Sequence, residues 1–313
     1  MSYYAEVLYQ VGVATPVGAQ TAMIERRSNA MHDLRLHIVR DVLLEQLDDA
    51  IGRLKKNGKS DATVHDVRRE LKRARATLRL LRKSIGGPEY RRDNWAIRDV
   101  ARLLTPLRDA KILVRTLGRL RRVDDDNDLR AAGSVLRRQF QEERHAIGRR
   151  LLPKHLVAAA ATLQTVKERI REIPRVRLDE VAISEGLGRV YKAGRRAFRR
   201  VEDKATDARL HEWRKQVKYL LNQIDVAGQL GGAKLKKRRK YSHGLADILG
   251  NDHDLAVLSA KINASADHEV SRRFALRIEK RRTILQREAR RLGKLLYGGK
   301  ARRLKSDLDV RRA

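Results

Sequence analysis

A histidine and a run of cations, His65, Arg68, Arg69, Lys72, Arg75, Arg79 and Lys83, recur at intervals of three and four residues. That is the spacing at which side chains share one face of an α-helix. At about 100° per residue, with His65 at zero, Arg68, Arg69, Lys72, Arg79 and Lys83 fall within roughly 60° of it on either side. The types fit one kind of chemistry. Arginine forks make paired hydrogen bonds to phosphate or carboxylate oxygens, and lysine contributes a point charge. An imidazole donates a hydrogen bond when neutral and adds charge when protonated. Like charges at these spacings repel by a few tenths of a kcal/mol per pair, so the stripe is unfavourable unless an anion lies along it.

The element that must carry this stripe is a helix with a separate apolar face. Val67, Leu71, Ala74, Leu78, Leu81 and Ile85 gather on the opposite side, about 160° to 240° from His65, the arc such a helix buries. Ser60, Asp61 and Thr63 are candidate N-caps and Gly86-Gly87-Pro88 a stop. Helical periodicity continues along nearly the whole chain. It predicts a helix from Ser28 to about Leu54 ending at Asn57-Gly58, then helices from Glu89 to Thr105, from Pro106 to about Arg122, from Asp128 to Leu152, and from Pro153 to about Glu172. An acidic turn, Asp124-Asp125-Asp126-Asn127, separates two of them. Further helices are expected near 180–201, 207–228, 233–250, 253–265 and 269–297, divided at Gly231-Gly232 and Gly250-Asn251. Residues 1–27 lack a sustained period and read as an extended or partly disordered leader, and 298–313 as a charged tail.

The chain contains an internal repeat. His65-x-x-Arg68-Arg69-Glu70-x-Lys72-Arg73 returns as His211-x-x-Arg214-Lys215-Gln216-x-Lys218-Tyr219, displaced by 146 residues. Leu103-Leu104-x-x-x-Arg108-Asp109-x-x-x-Leu113 returns as Ile248-Leu249-x-x-x-His253-Asp254-x-x-x-Leu258, displaced by 145. Two matches in nearly one register imply duplication. The expected architecture is all-α, with two pseudo-symmetric helical bundles (28–174 and 179–297) whose basic helices face a shared groove or channel. The second stripe passes into Leu221, Asn222 and Asp225 while the first continues through Arg75, Arg79 and Lys83, so the first half is expected to bind more strongly.

Composition bounds the partner. There are 72 Lys+Arg against 39 Asp+Glu, a net charge of +33, and the 42% hydrophobic content suffices for a folded core, so the partner is a polyanion. Aromatics amount to 4%, with no cluster inside the basic stretches, which argues against single strands held by base stacking. No cysteine is present, which excludes disulfides, thiol nucleophiles and cysteine-based zinc sites. No apolar run is long enough to span a bilayer, so no membrane role is expected, and no signal peptide is read at the N-terminus. The cytoplasm is the expected compartment.

The paired His-x-x-Arg-Arg/Lys-x-x-Lys motifs, each followed by a helix break and an Arg-Asp or His-Asp pair, resemble the CHAD family, the conserved-histidine α-helical domain, over about residues 28–297. The resemblance implies two four-helix bundles around a basic groove or channel that binds inorganic polyphosphate, often at polyphosphate granules, without catalysis and without a cofactor or metal. It implies a ligand set of His65, Arg68, Arg69, Lys72, His211, Arg214, Lys215 and Lys218, with secondary roles for Arg108 and His253 and with the neighbouring Asp residues orienting cations. Where Arg108 is replaced by His253, that corner is expected to be weaker or pH-dependent.

Arg73, Arg75 and Arg79 along the first stripe are further candidate contacts. Lys237 is another, from the run Lys236-Lys237-Arg238-Arg239-Lys240 before His243. That run fits the second wall of the channel, a nucleic-acid or localisation signal, or a solvated face. Tyr191, Lys192, Arg195, Arg196 and Arg199 are equally open between lending charge to the groove and facing solvent. Two other functions stay open, a binder of nucleic-acid backbone and a metal-dependent phosphohydrolase. The second is suggested by His32-Asp33, His65-Asp66 and His253-Asp254. Adjacent helical residues point about 100° apart, so such a dipeptide does not by itself assemble a metal site.

Overall fold

The computed structural model describes residues 39–56, 61–121, 127–173, 180–229 and 235–299. The leader, His32-Asp33, the stop at Asn57-Gly58, the acidic residues Asp124-Asp125-Asp126, Gly231-Gly232 and the tail from Lys300 lie outside these. All the regular structure among the described residues is helical: α1 (39–56), α2 (Asp61–Leu80), α3 (Arg82–Ile85), α4 (Gly87–Leu103), α5 (Thr105–Arg121), α6 (Asn127–Arg150), α7 (Pro153–Arg171), α8 (Glu180–Asp203), α9 (Asp207–Gln229), α10 (Lys236–Asn263) and α11 (His268–Tyr297).

Proline and glycine place several of the boundaries. Gly86, at φ +94°, ends α3 in a conformation that favours glycine, and Pro88 sits in the first turn of α4, where a missing N–H leaves no bond unmade. Pro106 likewise occupies the first turn of α5, and the helix is interrupted at Leu104. The second half departs from expectation here. Residues 236–263 form one 28-residue helix, and Gly250-Asn251 does not divide it. A mid-helix glycine destabilises by only about 1 kcal/mol, which the packing of α10 on α9 and α11 offsets, whereas a proline removes an N–H outright.

The apolar face expected of the stripe helix is buried, although that helix is interrupted at Leu81: Val67, Leu71, Ala74 and Leu78 of α2 and Leu81 after it are inaccessible, and Ile85 of α3 nearly so. The principal core draws on both halves of the chain, from Leu43 and Leu47 of α1 through Leu71 and Leu78 to Trp213, Leu220 and Leu296. A second cluster, with Leu117, Phe140, Leu258 and Phe274 among its members, joins α5 and α6 to α10 and α11. Helix α2 packs against α4, α5, α8 and α9, and α10 against α5, α9 and α11. The two motif-bearing helices are therefore neighbours. Gln223 of α9 donates from Nε2 to the Ala76 carbonyl of α2 at 3.0 Å, a buried bond between the halves.

The cationic stripe is not continuous. Below Arg75 the same face of α2 carries Ala76 and Leu80, both inaccessible: Gln223 of α9 bonds the Ala76 carbonyl, and α8 crosses at Leu80. Gly186 makes the crossing possible: a Cβ on it would stand 3.2 Å from the Leu80 Cα. Arg79 consequently lies over the Tyr219 ring, 4.2 Å from its centre, and Lys83 reaches Glu185 at 3.2 Å.

Candidate functional site

Where α2 and α9 run side by side, their N-terminal halves and somewhat beyond line a cavity of about 480 Å³. Helix α2 supplies His65, Arg68, Arg69, Lys72 and Arg75, α9 supplies His211, Arg214, Lys215, Lys218 and Tyr219, and α5 supplies Arg108. Leu221, Asn222, Ala246 and Asp247 complete the wall. The helical spacing of each motif turns its histidine and basic residues to one side, and the α2–α9 contact makes the two sides face each other.

The cations form two layers. At the rim, Arg69 is held by Asp66 at 3.3 Å and Glu70 at 3.1 Å, and Lys215 pairs with Glu212. Deeper, Arg68, Lys72, Arg214 and Lys218 have no ion-paired carboxylate among the described residues. Arg68 is instead anchored at the α4–α5 break, donating to the Ala101 carbonyl and, at 2.6 Å, to Thr105 Oγ1. The break at Leu104 thus holds an arginine in place. Arg108 donates to Asp109 at 2.8 Å and lies 3.9 Å from Asp254 of α10, which also accepts from Arg115 at 3.4 Å. Both aspartates orient cations.

Electrostatically the inner layer is strained. Burial, reinforced by Lys218, Arg68, Arg108 and Arg214, pulls Lys72 down to about 6, and burial with Arg214 and Arg108 pulls Lys218 to about 8. Arg68, Arg75 and Arg214 are lowered by the same desolvation, and so are His65 and His211. His253 stands behind His211, ring centres 4.9 Å apart, and burial beside Arg214 and His211 takes it to about 4. It is therefore neutral at pH 7 in the free protein. Such a site favours a ligand that brings negative charge without bulk.

Of the residues singled out from sequence, His65, Arg68, Arg69, Lys72, Arg75, Arg108, His211, Arg214, Lys215 and Lys218 meet at this cavity. Arg73 is turned to Glu70 at 3.2 Å, Arg79 stacks on Tyr219, and His253 stands behind His211. Lys237 lies 5.9 Å from the centre of the Tyr241 ring, outside this cavity. Tyr191 is buried and donates to the Gly299 carbonyl at 2.8 Å, and Lys192, Arg195, Arg196 and Arg199 do not border the cavity. Asp66 and Asp254, the carboxylates of two His-Asp dipeptides, are occupied by arginines.

Sequence reasoning missed Tyr219 and Asp247 as wall residues. Tyr219 takes the repeat position of Arg73, and Gln216 that of Glu70, so the second half lacks the carboxylate that turns Arg73 aside. Asp247 carries no local signal except its place one turn after His243, to which it is paired at 3.1 Å.

Comparison with known proteins adds two findings. A family model described as CHAD domain matches residues 41–263. Among solved structures, the chain is similar to the crystal structure of the CHAD domain from the plant Ricinus communis, with 19% identity, 89% of this chain and 92% of that chain covered, and a TM-score of 0.54. That likeness concerns the fold alone. No curated protein matches the chain.

Proposed function

This chain belongs to the CHAD domain family, and we propose that its cavity binds a stretch of inorganic polyphosphate without cleaving it. The observation that carries the proposal is the inner layer of Arg68, Lys72, Arg214 and Lys218, half-buried beside one another with no carboxylate paired to them among the described residues. Basic side chains crowded together in a half-buried site repel one another when charged, and a ligand with one negative charge per small repeating unit favours the charged form of several of them at once. A cavity between two helices suits a thin chain, and Tyr219, the one Phe, Tyr or Trp among its described lining residues, offers little for base stacking. The charge pattern calls for a polyanion. The family resemblance is what narrows that to polyphosphate.

Binding alone is proposed because the acids near the cavity are engaged with basic side chains, Asp109 with Arg108, Asp254 with Arg115, Asp66 with Arg53 at 3.0 Å, Glu212 with Lys215, and the wall residue Asp247 with His243. The role that follows is attachment of the protein, or of a granule surface, to the polymer in the cytoplasm. Competition at physiological salt tests the reading. Long-chain polyphosphate is expected to displace the protein from duplex DNA of equal charge. Failure to displace it favours a nucleic-acid backbone binder, and phosphate release with Mg²⁺ or Mn²⁺ present favours a hydrolase.

A further inference from the structure

A second basic cavity, of about 750 Å³, lies between α10 and α11. Lys236, Arg239 and Lys240 from the first turns of α10 and Arg291 from α11 line it, together with His243 and one carboxylate, Glu288. Arg239 is tied to Asp225 of α9, and Arg291 to Glu288 of its own helix. Lys236 and Lys240 are exposed and have no carboxylate partner among the described residues. The basic run of residues 236–240 thus faces a cavity of its own and does not form a wall of the central one.

The two cavities meet across a single turn of α10. Asp247 borders the central one and His243 the outer one, and these two residues are paired at 3.1 Å as i and i+4 neighbours. On the other flank, Asp225 of α9, which holds Arg239, lies one turn beyond Leu221 and Asn222 in the central wall. A chain leaving the central cavity on this side therefore crosses the His243–Asp247 ridge and meets Lys236, Lys240, Arg239 and Arg291. The ion pairs it disturbs there are exposed, with both partners of the His243–Asp247 pair more than 60% accessible, and pairs of that kind contribute little to stability.

We propose that the α10–α11 cavity is a second subsite for the same polyphosphate chain, so that polymers long enough to pass over α10 bind more tightly than oligomers that fill only the central cavity. This rests on the polyphosphate reading above. Chain-length preference then originates in a part of the protein separate from the paired histidine motifs.

The test measures binding of a short oligophosphate and of long-chain polyphosphate, as a function of salt, for the wild type and for the double variant Lys236→Glu/Lys240→Glu. Both side chains are exposed, and circular dichroism and a melting curve verify the fold. The expected result is unchanged affinity for the short oligomer, about tenfold weaker binding of the long polymer, and a shallower salt slope for the long polymer only, because two phosphate contacts are lost. Arg291→Ala, on the other helix, is expected to act in the same direction. Equal loss for both lengths, or no loss for either, overturns the second subsite and leaves the central reading standing. A wild type that binds neither length overturns the central reading, and the subsite with it.

Discussion

Lys72 and Lys218 are the residues whose charge state the ligand should change. Both titrate lower in the folded chain, at about 6 and about 8, than the ordinary value of 10.5. The unfolded chain therefore binds more protons than the free folded protein across that window, and the stability of the free protein should rise with pH from about 6 towards 10.5. A bound polyanion favours the charged lysines, so binding takes up protons and weakens as pH rises through the same window. Calorimetry at pH 8 in two buffers of different ionisation enthalpy is expected to report net proton uptake, and Lys72→Met to reduce it while raising the melting temperature of the free protein. No buffer dependence would mean that the lysines are already charged. Replacing Arg68, Arg69 and Lys72 together with Ala is expected to weaken polyphosphate binding by about a hundredfold or more, given the strength of charge-assisted hydrogen bonds. The helix should remain formed, since Ala is the better helix former and like-charge repulsion is relieved. Unchanged affinity in the folded variant would reduce the stripe to a surface feature.

Among the helices, the crossing of α8 over α2 sets the length of the binding face. Gly186 permits it, and a methyl group there would press on the Leu80 backbone, Cα at 3.2 Å and carbonyl oxygen at 3.3 Å. Gly186→Ala is expected to destabilise by about 1–3 kcal/mol, as overpacking does. The midpoint of chemical denaturation measures this, and an unshifted midpoint would show that the crossing is looser than described. A comparable contact seats α11, where a Cβ on Gly293 would stand 2.6 Å from the Phe198 ring and 2.8 Å from that of Trp213. The break between α4 and α5 has a different purpose. It supplies the Ala101 carbonyl and the Thr105 hydroxyl that hold Arg68, whereas α10 runs straight through the corresponding position.

For the molecule as a whole, a shared core and a shared cavity join the two halves of the chain. The inner cations come from α2 and α9 in equal number, and Arg108 of the first half approaches Asp254 of the second. Polyphosphate that binds only the folded protein should stabilise it by about 2.7 kcal/mol at a hundred times its dissociation constant. Thermal melts with and without the polymer measure this, and the shift should fall steeply as salt is added, because each neutralised phosphate releases counterion. A shift that persists undiminished at high salt would point to a ligand held by something other than charge.

Local sequence determined a good deal. The apolar face of α2, the all-helical character and most helix ends follow from residue type at helical spacing, because a helix fixes which side chains share a face without reference to the rest of the chain, while the ten cavity residues among the candidates come from the basic stripe, its repeat and the family resemblance together. The repeat indicated that the two motifs belong together. Only the tertiary structure decided which cations remain available. Ala76 and Leu80 read as ordinary positions until α9 and α8 pack on them, Arg73 is withdrawn by Glu70, and Asp247 enters the wall from α10. Gly250-Asn251 reads as a break until packing on both neighbours holds α10 straight. The basic run at 236–240 likewise acquires its place only when α11 closes a second cavity over it. Charge and period are local properties of the chain, whereas burial, pairing and the pKa of a lysine depend on what folds against it.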